Sequence, residues 1–195
     1  EIQAIRDFVI EKKFLVSVAY HSSRSGCVSE RVIFPWGWKD HTLDSAKVSP
    51  DYTIIEDLAE GIASNIKKQG SSLSYITGAQ KSRTGNAHDW IYSETGCYQF
   101  LIEMGNSEIQ TMDQQMIDNV IENNRKGLFY LLSEVAGGGE DIRQIKGYVI
   151  DQVTGDSLSG VEFRVEQLYS SVLKPRLTDQ YGEYHRILGS DYYDL

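Results

Sequence analysis

Hydrophobic positions in this chain follow two periods, and the change from one to the other marks out most of its elements. Ile2, Ile5, Phe8 and Val9 recur at helical spacing over residues 1–12, so a helix with an inward stripe is expected. FLVSVAY (14–20) is aromatic and β-branched and reads as a buried strand. HSSRSGCVSE is a polar loop, and RVIFPWGW is a short strand broken at Pro35 and Gly37. Ser49 or Asp51 can cap a helix in which Ile55, Leu58, Ala59, Ile62 and Ile66 share a face, running to about Gly70. SLSYIT predicts another short strand, and GAQKSRTGNAHDW (78–90) a long polar loop of the kind that often carries function. CYQFLIE alternates into a strand. Residues 111–133 form a helical run with Met116, Val120, Ile121, Leu128 and Leu131 inward.

Beyond the three glycines at 137–139 the texture changes. KGYVID, VEFRVEQLY and EYHRIL are short strands separated by TGDSLSG and TDQYG turns, the pattern of a β-sandwich. Two units are expected, 1–137 and 138–195. The first mixes helices and strands and should be α/β with a largely parallel or mixed sheet; the second should be a small all-β sandwich.

Composition narrows the partners. With 195 residues and a net charge of -9, the chain has no basic patch to neutralise phosphates, so nucleic acid is excluded as a partner. No apolar run is long enough to span a membrane. The sequence opens at Glu1, already within the helical stripe and without an initiator methionine, as expected of a fragment or processed product. Two cysteines, Cys27 and Cys97, permit one disulfide without requiring it and lack metal-ligand spacing.

Two polar residues stand at the ends of apolar strands: His21 after FLVSVAY and Glu103 after CYQFLI. A carboxylate in a buried strand costs several kcal/mol unless it is solvated, paired or beside a metal. In open α/β sheets, ligand sites gather beyond the carboxyl ends of the strands. His21 and Glu103 are therefore either ordinary strand-end residues or a metal ligand and a general base brought to one place.

The wording of residues 1–134 resembles the C-terminal half of a zinc carboxypeptidase of the carboxypeptidase A type. The resemblance rests on His21-Ser22, on Phe34-Pro35-Trp36-Gly37-Trp38, on Asp89-Trp90 at the family's interval before the acid, and on Glu103-Met104. IKGYVIDQVTGDSLSGVEFRV and TDQYGEYHRIL resemble the regulatory-like, transthyretin-type β-sandwich that commonly follows such domains. The resemblance implies that zinc is held by two histidines, a glutamate and a water, that His21 is the later histidine ligand, and that Glu103 is the general base. The family's upstream His-x-x-Glu motif has no counterpart here: His41, His88 and His185 are not followed three residues later by Glu. Nor are the upstream arginines for the substrate carboxylate present. This stretch alone is thus expected to be metal-free and inactive, with Zn2+ belonging to the complete enzyme.

The same resemblance implies substrate contacts at Ser22, Lys81, Arg83 and His88. Lys81 stands where the family has a tyrosine that closes over substrate; Tyr75 or Tyr92 could substitute for it, or the lysine is a plain surface residue. Arg83, Asn86 and His88 fall at the pocket for the last side chain, and Arg83 with His88 suits an acidic one. A disulfide between Cys27 and Cys97, which would pin the loop after His21, fits an extracellular or periplasmic setting. The implied activity is zinc-dependent release of C-terminal residues from peptides. The alternative is a non-catalytic peptide- or glycan-binding protein on a decayed scaffold.

Overall fold

A computed structural model of the chain describes residues 1–22, 29–35, 49–79, 86–105, 113–138, 143–170 and 172–189. The apolar strands assemble into one four-stranded sheet of order β1-β4-β2-β3, with β1 at Val16–Ser22, β2 at Arg31–Phe34, β3 at Ile76–Ala79 and β4 at Tyr98–Met104. β1 runs parallel to β4, β2 antiparallel to β4, and β3 parallel to β2. The sheet is therefore mixed, and the α/β expectation holds.

Alternation decides which face of the sheet is buried. Val32, Phe34, Tyr98, Phe100 and Ile102 point to one side and are essentially inaccessible to solvent. They pack against α2 (Tyr52–Asn65), whose Ile55, Leu58, Ala59 and Ile62 form the expected apolar face. The helix stops at Asn65, short of Gly70, because Ile66 turns extended and Lys67 bridges Ser74. Ile66 nonetheless stays fully buried.

Two helices differ from expectation in which side chains they bury. In α1 (Ile2–Lys12) only Val9 is buried, against Ile91 and Cys97, while Ile2, Ile5 and Phe8 are exposed. In α4 (Gln114–Ser133) Leu131 is buried and Met116, Val120 and Leu128 are half-buried as predicted, but Ile121 faces solvent and Asn124 and Gly127 are buried beside Leu131. The cause is close approach to α2: a Cβ on Gly127 would lie 2.7 Å from Ile66 Cδ1. Asp113 caps α4 by accepting hydrogen bonds from the Gln115 and Met116 amides.

One helix was read as loop. Residues Ala87–Thr95 form α3, opened at Asn86 and closed by Gly96 in the left-handed conformation.

The C-terminal segment forms two short antiparallel pairs, β5 (Arg143–Tyr148) with β8 (Glu183–Leu188) and β6 (Glu162–Phe163) with β7 (Arg176–Leu177). VEFRVEQLY is strand only at its start; a 3-10 turn at Glu166–Leu168 follows. These strands pack on the α/β layer, with Leu173 and Ile187 entering the same apolar cluster as α2 and β4. At that seam Arg186 donates to Asp51 Oδ1 at 3.0 Å, both side chains being at most 3% exposed. Tyr92 donates to Asp51 Oδ2 and accepts from Ser49 Oγ, each at 2.7 Å.

Candidate active site

The strand register brings the two strand-end residues together. β1 and β4 pair in parallel with His21 beside Glu103, so both side chains leave the same face of the sheet, opposite the α2 core. His21 Nδ1 lies 3.1 Å from Glu103 Oε2. Their burial is unequal: the His21 side chain is 67% exposed and that of Glu103 only 9%. Glu103 is thus a carboxylate seated in the sheet whose one directed side-chain contact among the described residues is His21, and His21 an imidazole with an exposed outer edge. When His21 donates from Nδ1, the lone pair on Nε2 remains for another partner.

β4 continues the row on its other side. Arg31 is the direct antiparallel partner of Glu103, so three ionisable residues lie abreast: His21, Glu103 and Arg31. The sequence pattern does not single out Arg31, which opens the short strand RVIF. A cation at the first position of an otherwise apolar strand was the available signal. Ser22, beside Met104 at the end of β1, is exposed at the same rim.

Beyond Glu103 the backbone turns at Gly105, with φ +71°. Its amide donates to Tyr75 Oη at 3.1 Å, which ties the end of β4 to a buried ring on the neighbouring segment. Tyr75 is therefore a support of the acid's strand and not a residue that closes over substrate. Tyr92 is fully buried and bonded to Ser49 and Asp51, which removes it from that role as well. Burial pushes both phenols above the ordinary tyrosine range.

Other anticipated contacts fall variously. Lys81 and Arg83 lie outside the described residues, as do Trp36, Gly37, Trp38 and Cys27. His88 is 4% exposed within α3, 3.7 Å from Asp89, and desolvation holds its pKa below the ordinary histidine value despite that carboxylate. It is neutral at pH 7, so it adds no positive charge to a pocket. Cys97 is a free buried thiol that donates to Ser17 Oγ at 3.4 Å, with its pKa pushed up to about 11 by burial.

A metal site needs several converging donors. Among the described residues no three His, Cys, Asp or Glu side chains cluster to hold an ion. His21 suits a single zinc ligand, being an accessible imidazole oriented by a carboxylate. The chain as described supplies that one donor and not a complete set.

The sheet is thus a mixed α/β one with an oriented histidine and a buried glutamate at the ends of adjacent parallel strands, the end of an α/β sheet where ligand sites gather. Residues 1–127 match the family model described as zinc carboxypeptidase, and the chain belongs to that family. It is also similar to carboxypeptidase D of Rattus norvegicus and of Mus musculus, at 24% identity over 209 aligned residues in each case. Those alignments take in the whole of this chain but only 14% of each relative's length.

Proposed function

We propose that the chain contributes the C-terminal half of the catalytic domain of a zinc metallocarboxypeptidase, which releases C-terminal residues from peptides. The observation that carries this reading is the His21–Glu103 pair, delivered by register at the ends of adjacent parallel strands. In this reading His21 is one protein ligand of the metal, and the other ligands come from chain upstream of residue 1. Zinc, when bound, polarises the scissile carbonyl and makes a water acidic near neutral pH.

The roles of this chain's own residues follow from geometry. Glu103 is held at the sheet face with an oxygen free of His21, so it can take a proton from the attacking water and pass it to the departing amine. Its burial limits competing solvent, and the contact with His21 keeps the charge from being stranded. Ser22, exposed at the end of β1, is a substrate contact in this reading. A preference for an acidic last residue rests on Arg83, since His88 is neutral. Zn2+ is the cofactor and a peptide the partner; an extracellular or periplasmic setting is part of the proposal.

The test is metal content. The complete protein should hold one zinc per active site, and His21→Ala should weaken that binding by more than about 100-fold, since even supporting residues cost 10- to 100-fold. A His21→Ala protein that keeps its zinc through dialysis would remove His21 from the ligand set. A complete protein that never takes up zinc would favour the non-catalytic binding protein instead.

A further inference from the structure

Arg31 is the feature of the site row that the family reading leaves unused. It stands directly across β4 from Glu103, and paired residues in an antiparallel ladder present their side chains on one face about 5 Å apart. Opposite charges so placed ordinarily join. Here they do not: the Glu103 carboxylate is turned to His21 on the opposite flank, and Arg31 forms no ion pair or side-chain hydrogen bond among the described residues. The guanidinium runs along the sheet instead, over β3, where Gly78 has no side chain. Nη1 lies 3.7 Å from where a Cβ at 78 would stand. Arg31 Nε is buried and has no partner.

A sunken guanidinium N–H without an acceptor is uncommon, because the donor has given up water and received nothing in return. Guanidinium is also the group best shaped to take a carboxylate through two parallel N–H···O bonds. Glycine at 78 leaves the planar group room to lie flat over β3, on the sheet face that carries the general base. We propose that Arg31 binds a carboxylate of the substrate's terminal residue, either its α-carboxylate or an acidic side chain. In this way it holds the peptide's end on the sheet face that carries Glu103. The proposal rests on the carboxypeptidase reading and adds a substrate-binding residue to it.

The experiment uses the complete, zinc-loaded protein and two blocked peptides that differ only in ending in Glu or Gln. Arg31→Ala should raise KM about 10- to 100-fold with a smaller change in kcat, the cost of a lost charge-assisted pair. Arg31→Lys, which keeps the charge but not the fork, should fall between. A loss shared by both peptides assigns the α-carboxylate; a loss confined to the Glu peptide assigns the side chain. Zinc content and thermal midpoint confirm that each variant is folded, and if Arg31→Ala fails that check the lysine variant carries the comparison. Unchanged KM for both peptides in a folded Arg31 variant would overturn the proposal. Loss of all activity in wild type would instead overturn the enzyme reading on which it rests.

Discussion

At the scale of single residues, burial and pairing decide charge, and charge decides what each group can do. His88 shows this most directly. Its imidazole is sealed in α3, and desolvation lowers its pKa below the ordinary value. The unfolded chain, with histidine near 6.5, then takes up a proton before the folded one does. Stability contributed by the neutral ring is complete above about pH 6.5 and is lost as pH falls from there toward the folded value. Urea midpoints of the wild type should therefore decline below pH 6.5, and His88→Gln should flatten that part of the decline. An identical pH profile in the two proteins would mean that His88 is not the group responsible. The convergence of His21 and Glu103 could be anticipated from two polar residues closing two apolar strands. Their shared row could not, because register depends on how β1 and β4 pair and no local pattern encodes it. Arg31 escaped notice for the same reason: it becomes a site residue only once β2 is laid antiparallel to β4.

At the scale of elements, strong periodicity was legible and weak or bracketed patterns were not. α2 and β4 are dense in apolar residues, and each buries the face its period indicates. α3 lay hidden in a polar stretch because only Ile91 and Tyr92 are plainly apolar and buried in it. Its signals were the flanking Asn86 and Gly96, which a loop also favours. In α1 the periodicity is right and most of the stripe stays exposed, whereas in α4 the expected face holds except at Ile121. α4 turns Gly127 to α2 because only a residue without a side chain lets the helices meet at Ile62 and Ile66. α1 leaves Ile2, Ile5 and half of Phe8 to solvent because the described neighbours cover Val9 and, through Phe14, only one side of the Phe8 ring. A hydrophobic stripe reports that a helix has a preferred face, and tertiary packing chooses how much of it is used.

At the scale of the whole molecule, the C-terminal strands and the α/β layer share one apolar cluster and one buried ionic network. Asp51 receives Arg186 from β8 and Tyr92 from α3, and Lys174 pairs with Glu94 at 2.6 Å nearer the surface. The Lys174 pair is largely exposed and contributes at most about 1 kcal/mol. The Asp51–Arg186 pair is different, because removing one member leaves the other charged in a dry seam. Arg186→Met should cost about 3–5 kcal/mol, and adding Asp51→Asn to it should recover part of that loss. Denaturant unfolding measures both, and a loss under about 1 kcal/mol for the single variant would show that the seam is not holding the charge. The same seam places α2 behind the sheet and so indirectly fixes the strands that carry His21, Glu103 and Arg31.

The central claim is that Glu103 serves as the base of a peptide-hydrolysing site, and it is tested by comparing the complete zinc-loaded protein with its Glu103→Gln variant. The measurement is kcat/KM for release of the last residue of a peptide, with zinc content read in parallel. Glu103→Gln should retain its zinc and lose about 10²- to 10⁴-fold in kcat/KM, the usual contribution of a positioned general base. Full activity in the zinc-loaded Gln variant would contradict the account.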